Sequence, residues 1–207
     1  MKKHLLLITA MLFSIAIAFA QGGTTGPLAW NLENDTLTIR GEGAMPDYKF
    51  YAPWVPSHGS PIHTIIIKEG VTSIGEYAFN GCENLVSIVI PNSVKSIGVG
   101  AFYSCRKLLS FTIPINVTRI ERETFHDCTG LTSIIIPESV TNIEKGAFHL
   151  CSNLLLIINQ NSVPFSVKPE AFSGLDQSVC QLRVPSASVS EYRKAKVWKE
   201  FIVLAIE

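Results

Sequence analysis

The sequence predicts a mostly β solenoid built from 23-residue repeats. Six kinds of position recur at this interval, all in one register, and chance does not produce six such ladders. Self-similarity at a fixed period of this length is the signature of a stacked-repeat architecture. The recurring residues are Val71, Val94, Val117 and Val140; Ile74, Ile97, Ile120 and Ile143; Phe79, Phe102, Phe125 and Phe148; Cys82, Cys105, Cys128 and Cys151; Leu85, Leu108, Leu131 and Leu154; and Pro91, Pro114 and Pro137.

The repeats begin with the pattern Leu-x-x-Ile-x-Ile-Pro, which is complete at Leu85 and Leu131. Ile88 and Ile90 alternate with their neighbours as a strand requires, so both side chains enter one face. Pro91 ends the strand because proline has no amide hydrogen to donate. Val94 and Ile97 begin a second, shorter extended stretch, and the Ala-Phe-x-x-Cys segment is expected to be a helical or 3₁₀ turn. A period of 20–29 residues with this start is the leucine-rich-repeat signature, and such coils are stable only when stacked.

Residues 1–20 are expected to be a signal peptide. Lys2 and Lys3 precede an apolar run from Leu5 to Ala20, and Ala18 and Ala20 fit the small-x-small rule for cleavage. A membrane anchor is the alternative interpretation. The run is short for a span of roughly 20 residues, and no charged flank follows it. We therefore expect an exported protein without a membrane span after the signal is removed.

The rest of the chain divides into two caps and a repeat region. Residues 62–180 are predicted to hold five repeats, the last degenerate, between an N-terminal cap at 21–61 and a C-terminal cap at 181–207. In the first cap, two alternating segments flank the turn-rich residues 33–36 and predict a β-hairpin. In the second, Ser188 and Glu191 fit a helix capping box. The helix that follows would bury one face, formed by Tyr192, Ala195, Trp198 and Phe201.

The segment from Ile90 to Cys105 resembles the BspA-type leucine-rich repeat, which is common in secreted and surface proteins of Bacteroides and related bacteria. The segments at Leu28–Tyr48 and from Leu182 onwards resemble those that flank such repeats. The resemblance implies a leucine-rich-repeat solenoid over nearly all of the mature chain. It also implies a role in adhesion or binding, since members of the family are described mainly as adhesins and binding proteins.

Charge and motif content argue against two classes of function. Without the signal segment, 15 basic residues stand against 17 acidic ones, a formal charge of −2. No basic excess is present to attract a phosphate backbone, so we expect no nucleic acid partner. The sequence contains no G-x-S-x-G, H-E-x-x-H, C-x-x-C or P-loop motif, and its carboxylates are scattered. We therefore expect no enzyme activity and no cofactor.

The five cysteines allow three interpretations: structural thiols, disulfides or a metal site. Equivalent positions in a solenoid lie about 4.8 Å apart with nearly parallel side-chain directions. A disulfide needs Cβ atoms about 3.8 Å apart and turned toward each other. The spacing therefore favours small buried free thiols in the ladder. Cys180 lies outside the register and is not placed by this argument.

His126 and His149 follow equivalent phenylalanines, so they are expected to stack in adjacent repeats. A zinc site would need further converging ligands, and only Asp127 is close in sequence. We interpret the two histidines as residues of the outer turn and predict no metal site.

The outward-facing strand positions are the candidate binding site, because the sheet face is the usual ligand surface of a leucine-rich repeat. A nearly uncharged strip of this kind suits a protein or extracellular-matrix ligand, although β-branched residues are also simply good strand formers. A polysaccharide-binding accessory protein is the alternative. Glycan binding usually relies on exposed aromatic rings, so exposure of Tyr48, Tyr51 and Trp54 would favour it. The candidate ligand-binding residues are Thr64, Ser87, Ser110 and Ser133 in one row, which Leu156 extends, and Ile66, Val89, Thr112 and Ile135 in a second, which Ile158 extends.

Overall fold

The computed structural model describes residues 21–49, 51–55 and 60–206. The predicted signal peptide at 1–20 lies outside the described residues. The strands are β1 (Gln21–Thr25), β2 (Leu28–Glu33), β3 (Thr36–Gly41), β4 (Gly43–Ala44), β5 (Thr64–Ile67), β6 (Val71–Ile74), β7 (Ser87–Val89), β8 (Ser96–Ile97), β9 (Ser110–Thr112), β10 (Arg119–Ile120), β11 (Ser133–Ile136), β12 (Asn142–Ile143), β13 (Leu156–Asn159), β14 (Gln181–Val184) and β15 (Ile202–Ala205). The described helical segments are α1 (Val189–Tyr192) and 3₁₀ turns at Pro169–Phe172, Ser186–Ser188 and Trp198–Glu200.

Each of the first four repeats forms one coil of the solenoid, with two strands and a turn, and the degenerate fifth has β13 and the 3₁₀ turn at Pro169–Phe172. In the first coil, β5 buries the side chains of Ile65 and Ile67, and β6 follows after a turn. β5 pairs in parallel with β7 of the next coil, with Thr64 opposite Ser87. Burial of every second residue follows from the pleat, which turns successive side chains to opposite faces. The predicted solenoid and its strand positions are therefore confirmed.

The third side of each coil is the predicted turn around the phenylalanine. Its hydrogen bonds span three residues, as from Cys82 N to Phe79 O at 3.1 Å, which is the 3₁₀ pattern. Other bonds join neighbouring coils, as from Phe79 N to Ala101 O at 2.8 Å. This turn therefore supplies inter-coil backbone bonds of its own.

The phenylalanine ladder forms an aromatic spine along the solenoid axis. Centroids of the stacked rings lie 5.3 to 5.6 Å apart from Phe79 to Phe172. Trp54 covers the ring of Phe79 at one end, and Trp198 covers Phe172 at the other, each at 5.9 Å. The indole N–H groups donate to carbonyl oxygens, Trp54 to Ala78 and Trp198 to Phe165. Both of these tryptophans are thus accommodated without an unpaired donor.

The N-terminal cap contains the predicted hairpin. β2 and β3 pair antiparallel across a turn at Asn34 and Asp35, whose φ angles are 46° and 60°. Positive φ at both central residues is typical of a type I′ turn, which suits the twist of a hairpin. β3 then pairs in parallel with β5, so the hairpin is joined to the first coil by a strand ladder. β1 adds a further antiparallel strand, which the sequence pattern did not predict.

The C-terminal cap is less helical than the sequence predicted. α1 spans only four residues, and the face proposed for one helix is divided between α1, a 3₁₀ turn and the segment before β15. The capping box does not form: Ser188 has a helical backbone, with φ −98° and ψ −10°, and its hydroxyl is turned toward the Ser162 carbonyl, to which it donates at 2.6 Å. The described residues from 181 onwards also add β14 and β15 to the sheet in parallel. Packing against the last coil therefore overrides the helical periodicity.

Candidate ligand-binding face

The structure places the predicted rows on one surface, here called the outer strand face. Its members are exposed or half-buried, whereas the residues between them in the strands are largely buried. Thr64 lies opposite Ser87, and Ser110 lies opposite Ser133, so each row runs across paired strands in register. The outer strand face comprises Thr64, Ile66, Ser87, Val89, Ser110, Thr112, Ser133, Ile135, Leu156 and Ile158.

Both caps extend this face beyond the predicted residues. At the N-terminal end, Thr36 pairs with Thr64 and Thr38 with Ile66. At the C-terminal end, the rows continue through β14 and β15, with Gln181, Arg183, Ile202 and Leu204 in register. The sequence signal for β14 was present, because Leu182-Arg183-Val184-Pro185 repeats the apolar-x-apolar-Pro pattern of the coils. No repeat pattern marks β15, so it was missed.

The face carries little charge. Within these rows, between β5 and β15, Arg183 is the charged residue, and its guanidinium donates to Gln181 Oε1 at 3.3 Å. At the N-terminal margin, His63 Nδ1 lies 3.5 Å from Asp35 Oδ2. Serine and threonine hydroxyls dominate the N-terminal half, and aliphatic side chains dominate the C-terminal half. Their chemistry fits hydrogen bonding and apolar contact with an uncharged surface.

The strand ladder is interrupted in the middle of the face. The described strands form one sheet ending at β7 and another beginning at β9, and the second strand layer divides at the same boundary, between β8 and β10. Just before β9, the bond from Leu109 N to Val86 O is 3.4 Å, against 2.9 Å for the equivalent bond from Thr132 N to Leu109 O. On the turn side, Phe102 N still donates to Thr124 O at 2.9 Å. The two coils are therefore joined at the turns and separated at the strands.

The larger side chain of Phe111 explains this separation. It occupies the inward position that isoleucine holds in the neighbouring strands, as at Ile88 and Ile134. Its ring packs edge-on against Phe102 at 4.9 Å and against Phe125 at 4.7 Å. Protein interiors are close-packed, so the extra volume of a phenyl ring displaces neighbours rather than filling a void. We conclude that Phe111 wedges the two coils apart on the strand side.

The separation opens a hollow of about 320 Å³ in the outer strand face, here called the strand cleft. It exposes part of Ile88 and Ile90, although the inward residues of the neighbouring strands are buried. The exposed side chains of Val89 and Ile115 stand at its margins. The residues lining the strand cleft are Ile88, Val89, Ile90, Asn92, Ser110, Thr112, Ile113, Pro114 and Ile115.

A second hollow of about 520 Å³ lies beyond Ile115, at the C-terminal ends of the strands. Pro137, Pro185 and Ile206 give it an apolar lining, and Glu138 lies at its rim. Ile115 lines both hollows, so they lie next to each other on either side of this exposed side chain.

The aromatic residues that would favour glycan binding are mostly withdrawn from solvent. Trp54 is buried in the aromatic spine, and Tyr48 is half-buried with its hydroxyl 2.6 Å from Thr25 Oγ1. Tyr51 is exposed over 61% of its surface. The residues of the outer strand face between β5 and β13 include no aromatic side chain. One exposed ring is a poor platform for a sugar chain.

The cysteine ladder is buried and its members are free thiols, as is Cys180 directly before β14. The Sγ atoms of Cys105, Cys128 and Cys151 donate to phenylalanine carbonyls of preceding coils at 3.3, 3.1 and 3.0 Å. Burial raises the pKa of Cys82 and of Cys151 to about 12. Nucleophilic chemistry requires the thiolate, so the ladder serves packing and hydrogen bonding.

The two histidines lie next to each other in adjacent repeats, as expected, with their rings tilted by 43°. The rings of His126 and His149 lie 4.7 Å apart, and Tyr103 stacks on His126 at 4.3 Å. Burial, and next the proximity of His149, lower the pKa of His126. Both histidines are half-buried and line a hollow of about 220 Å³ with Glu123 and Lys145. In the part of the chain that the structure describes, no three His, Cys, Asp or Glu side chains are grouped to hold a metal ion.

Comparison with known proteins identifies the repeats. The profile of the BspA type leucine-rich repeat region matches residues 57–178, more than half of the chain, with six copies. The chain belongs to this family. Proteins with leucine-rich repeats in general bind other proteins and are in general not enzymes. No functionally curated protein matches the sequence.

Solved structures of bacterial leucine-rich repeat proteins share the fold. A leucine-rich repeat protein from Eubacterium ventriosum is 25% identical, with a TM-score of 0.53 over 80% of this chain and 53% of its own. The pneumococcal vaccine antigen PcpA is 21% identical, with a TM-score of 0.58 over 86% and 46% of the two chains. The T. pallidum leucine-rich repeat protein TpLRR is 22% identical, with a TM-score of 0.50 over 67% and 71%.

This BspA-type chain spans about half the length of the first of these proteins. Within residues 21–49, 51–55 and 60–206, no helix is both long and apolar enough to cross a bilayer. Family membership and fold thus support a binding role in general terms, and the outer strand face is the candidate surface for it.

Proposed function

We propose that this protein is an exported, non-catalytic adhesion or recognition protein that binds a protein partner through the outer strand face. The observation that carries the proposal is the run of uncharged side chains in register across the paired strands. The centre of a protein–protein interface is depleted of charged residues, because each charge must lose its hydration. A face of hydroxyl and aliphatic groups meets this condition. A host extracellular-matrix protein is the partner class that fits an exported protein.

The alternative of a polysaccharide-binding accessory protein has less support. Sugar rings stack on exposed aromatic side chains, and Tyr51 is not accompanied by an exposed Tyr48 or Trp54. Export itself is supported by the signal-like segment at 1–20. No cofactor enters the proposal, since binding through a flat face requires none.

The test is binding of the purified protein to immobilised extracellular-matrix proteins, with a glycan array measured alongside. We expect at least one matrix protein to bind and the glycans not to bind. Ser87→Lys and Ser133→Lys should then weaken binding roughly tenfold or more, because an unpaired charge would be buried in the interface. Both side chains point away from the core, so the fold should be retained.

Ser152→Lys is the matched control, since it makes the same chemical change at an exposed position on the turn side. It should bind like the wild type. Loss of binding in Ser152→Lys with full binding in the two face variants would place the interface on the turns. Selective capture of glycans would support the polysaccharide alternative instead.

A further inference from the structure

The strand cleft is a feature of this chain that the repeat pattern alone does not require. It lies inside the outer strand face, between β7 and β9, and penetrates to the core residues Ile88 and Ile90. Its volume of about 320 Å³ lies near the lower end of the range for binding pockets, roughly 300–1,000 Å³. A pocket of this size accommodates one side chain and its flanking backbone.

We propose that the strand cleft receives an apolar side chain from an extended, uncharged peptide segment of the partner. The inference rests on the proposed function and names the chemistry that the outer strand face recognises. Ile88, Ile90 and Ile113 offer apolar contact at the base of the cleft, and Ser110 and Thr112 place hydroxyl groups at its rim. An apolar side chain flanked by peptide groups matches both parts of this lining.

The unpaired strand edges make a peptide the best occupant. β7 pairs with β5 and β9 with β11, and the edges that face each other form no ladder in the described structure. Paired strands lie about 4.8 Å apart, and Leu109 N is still 3.4 Å from Val86 O beside β9, so the gap does not admit a whole further strand. Backbone N–H and C=O groups left unpaired at these edges can instead meet the polar groups of a peptide that lies across the cleft and inserts one side chain. The Asn92 side chain adds a further amide to the lining.

The lining also disfavours the other classes of ligand. None of its nine side chains is ionisable, so a charged or phosphorylated segment would lose hydration without gaining a counter-charge. A glycan would find no exposed ring there, because Phe111 is buried beneath the cleft with 3% of its surface exposed. Phe111 acts by holding the cleft open and does not itself face the ligand.

The experiment measures binding of capped tripeptides to protein labelled with ¹³C at the isoleucine methyl groups. With acetyl-Ser-Leu-Ser-amide, we expect saturable shifts of the Ile88, Ile90, Ile113 and Ile115 methyl signals, with a Kd on the order of 1 mM, as suits so small a ligand. Acetyl-Ser-Glu-Ser-amide should bind at least about tenfold more weakly, because the cleft offers its carboxylate no counter-charge.

Two variants test the cleft from inside and from outside. Phe111→Ile restores the isoleucine of the neighbouring strands, so it should close the cleft, slow amide hydrogen exchange in β7 and β9, and abolish binding of the leucine peptide. Thr112→Trp should fill the mouth of the cleft from the solvent side and abolish binding without a change in the core. Thr141→Trp, at an exposed position directly before β12, is the matched control and should bind normally.

The proposal is overturned if the leucine peptide produces no saturable shifts, if both peptides bind equally, or if Thr112→Trp binds normally. It is also overturned if maltotriose gives the shifts and the peptide does not. If Phe111→Ile gains no exchange protection, then Phe111 is not what opens the cleft, and that step is wrong. Ser87 and Ser133 do not line the cleft, so loss of matrix-protein binding in Ser87→Lys and Ser133→Lys, together with absent peptide shifts, would leave the proposed function standing while this inference fails.

Discussion

At the scale of single residues, stability is concentrated in positions where identical side chains stack on one another. Phe125 packs face to face with Phe102 at 5.6 Å and with Phe148 at 5.4 Å, in nearly parallel planes. The spacing of the coils sets these distances, which lie within the range of favourable aromatic contacts. Each ring in the spine therefore contributes burial to two interfaces at once.

We expect Phe125→Ala to lower the free energy of unfolding by about 3–5 kcal/mol, because it leaves a cavity between two coils. Urea denaturation followed by circular dichroism measures the loss. Val163→Ala, at a side chain 71% exposed, is the control and should unfold at the wild-type urea concentration. Equal midpoints for Phe125→Ala and the wild type would show that the spine does not stabilise the stack.

The buried thiols lead to a prediction about reactivity. Burial, and next the neighbouring Cys128 and Cys82, raise the pKa of Cys105 well above the ordinary value for a thiol. We therefore expect iodoacetamide to leave the folded ladder unlabelled at pH 8, and to label all five cysteines after unfolding without reductant. Mass spectrometry counts the labels. Recovery of two or four cysteines unlabelled after unfolding would reveal disulfides and overturn the assignment.

At the scale of elements, the C-terminal cap is attached to the last coil through a polar contact in the core. Asn159 occupies the inward position held by Ile136 in the preceding strand. Its Nδ2 donates to the Tyr192 hydroxyl of α1 at 3.1 Å, and that hydroxyl donates to Asn161 O at 3.1 Å. Burial raises the pKa of Tyr192 to about 12. Buried polar groups need such partners, so Asn159 specifies where α1 packs.

Removal of the hydroxyl should destabilise the cap. Tyr192→Phe leaves the buried Asn159 amide with one hydrogen-bond partner fewer, which costs about 1–3 kcal/mol. Native-state hydrogen exchange should show the loss first in the described amides of residues 181–206. The double variant Asn159→Ile/Tyr192→Phe should be less stable still, because Asn159 Oδ1 also accepts from the backbone and side-chain amides of the buried Asn161 at 3.2 and 2.9 Å. If the single change leaves exchange in these residues unaltered, the contact does not hold the cap.

At the scale of the whole molecule, both ends of a stack of coils must be protected from pairing with other chains. An open strand edge is a template for pairing with another chain. The backbone N–H groups of Ile202 and Ile206 donate to the segment of β14. Successive residues of a strand turn their backbone groups to opposite sides. The Val203 carbonyl therefore points away from β14, to the open edge of the sheet. Arg193 Nη2 donates to this oxygen at 3.0 Å. We infer that Arg193 protects the edge of β15.

Arg193→Ala should therefore expose the edge of β15 and promote self-association. Sedimentation velocity over a range of protein concentrations should show dimers or larger species in the variant and not in the wild type. Lys196→Ala removes an equal charge from the same segment and should sediment like the wild type. Identical behaviour of all three proteins would mean that Arg193 is not what keeps the edge unpaired.

The repeat period, the strand positions, the inward and outward rows and the aromatic spine were all determined by the sequence itself. Each depends on spacing along the chain, and a solenoid converts equal spacing into equal position in space. The interval of 23 residues between Thr64 and Ser87 is therefore enough to place them side by side on neighbouring strands.

Other features were decided only by tertiary packing. The capping box at Ser188 does not form because packing against the last coil turns its hydroxyl toward the Ser162 carbonyl and gives its backbone a helical conformation, not the extended one of an N-cap. β15 joined the sheet because β14 presents an open edge to it, which no periodicity in the segment indicates. The strand cleft arises because the Phe111 ring is packed between the rings of Phe102 and Phe125. A large side chain pushes its neighbours apart only when they are packed around it in the folded core, so the sequence did not predict the cleft.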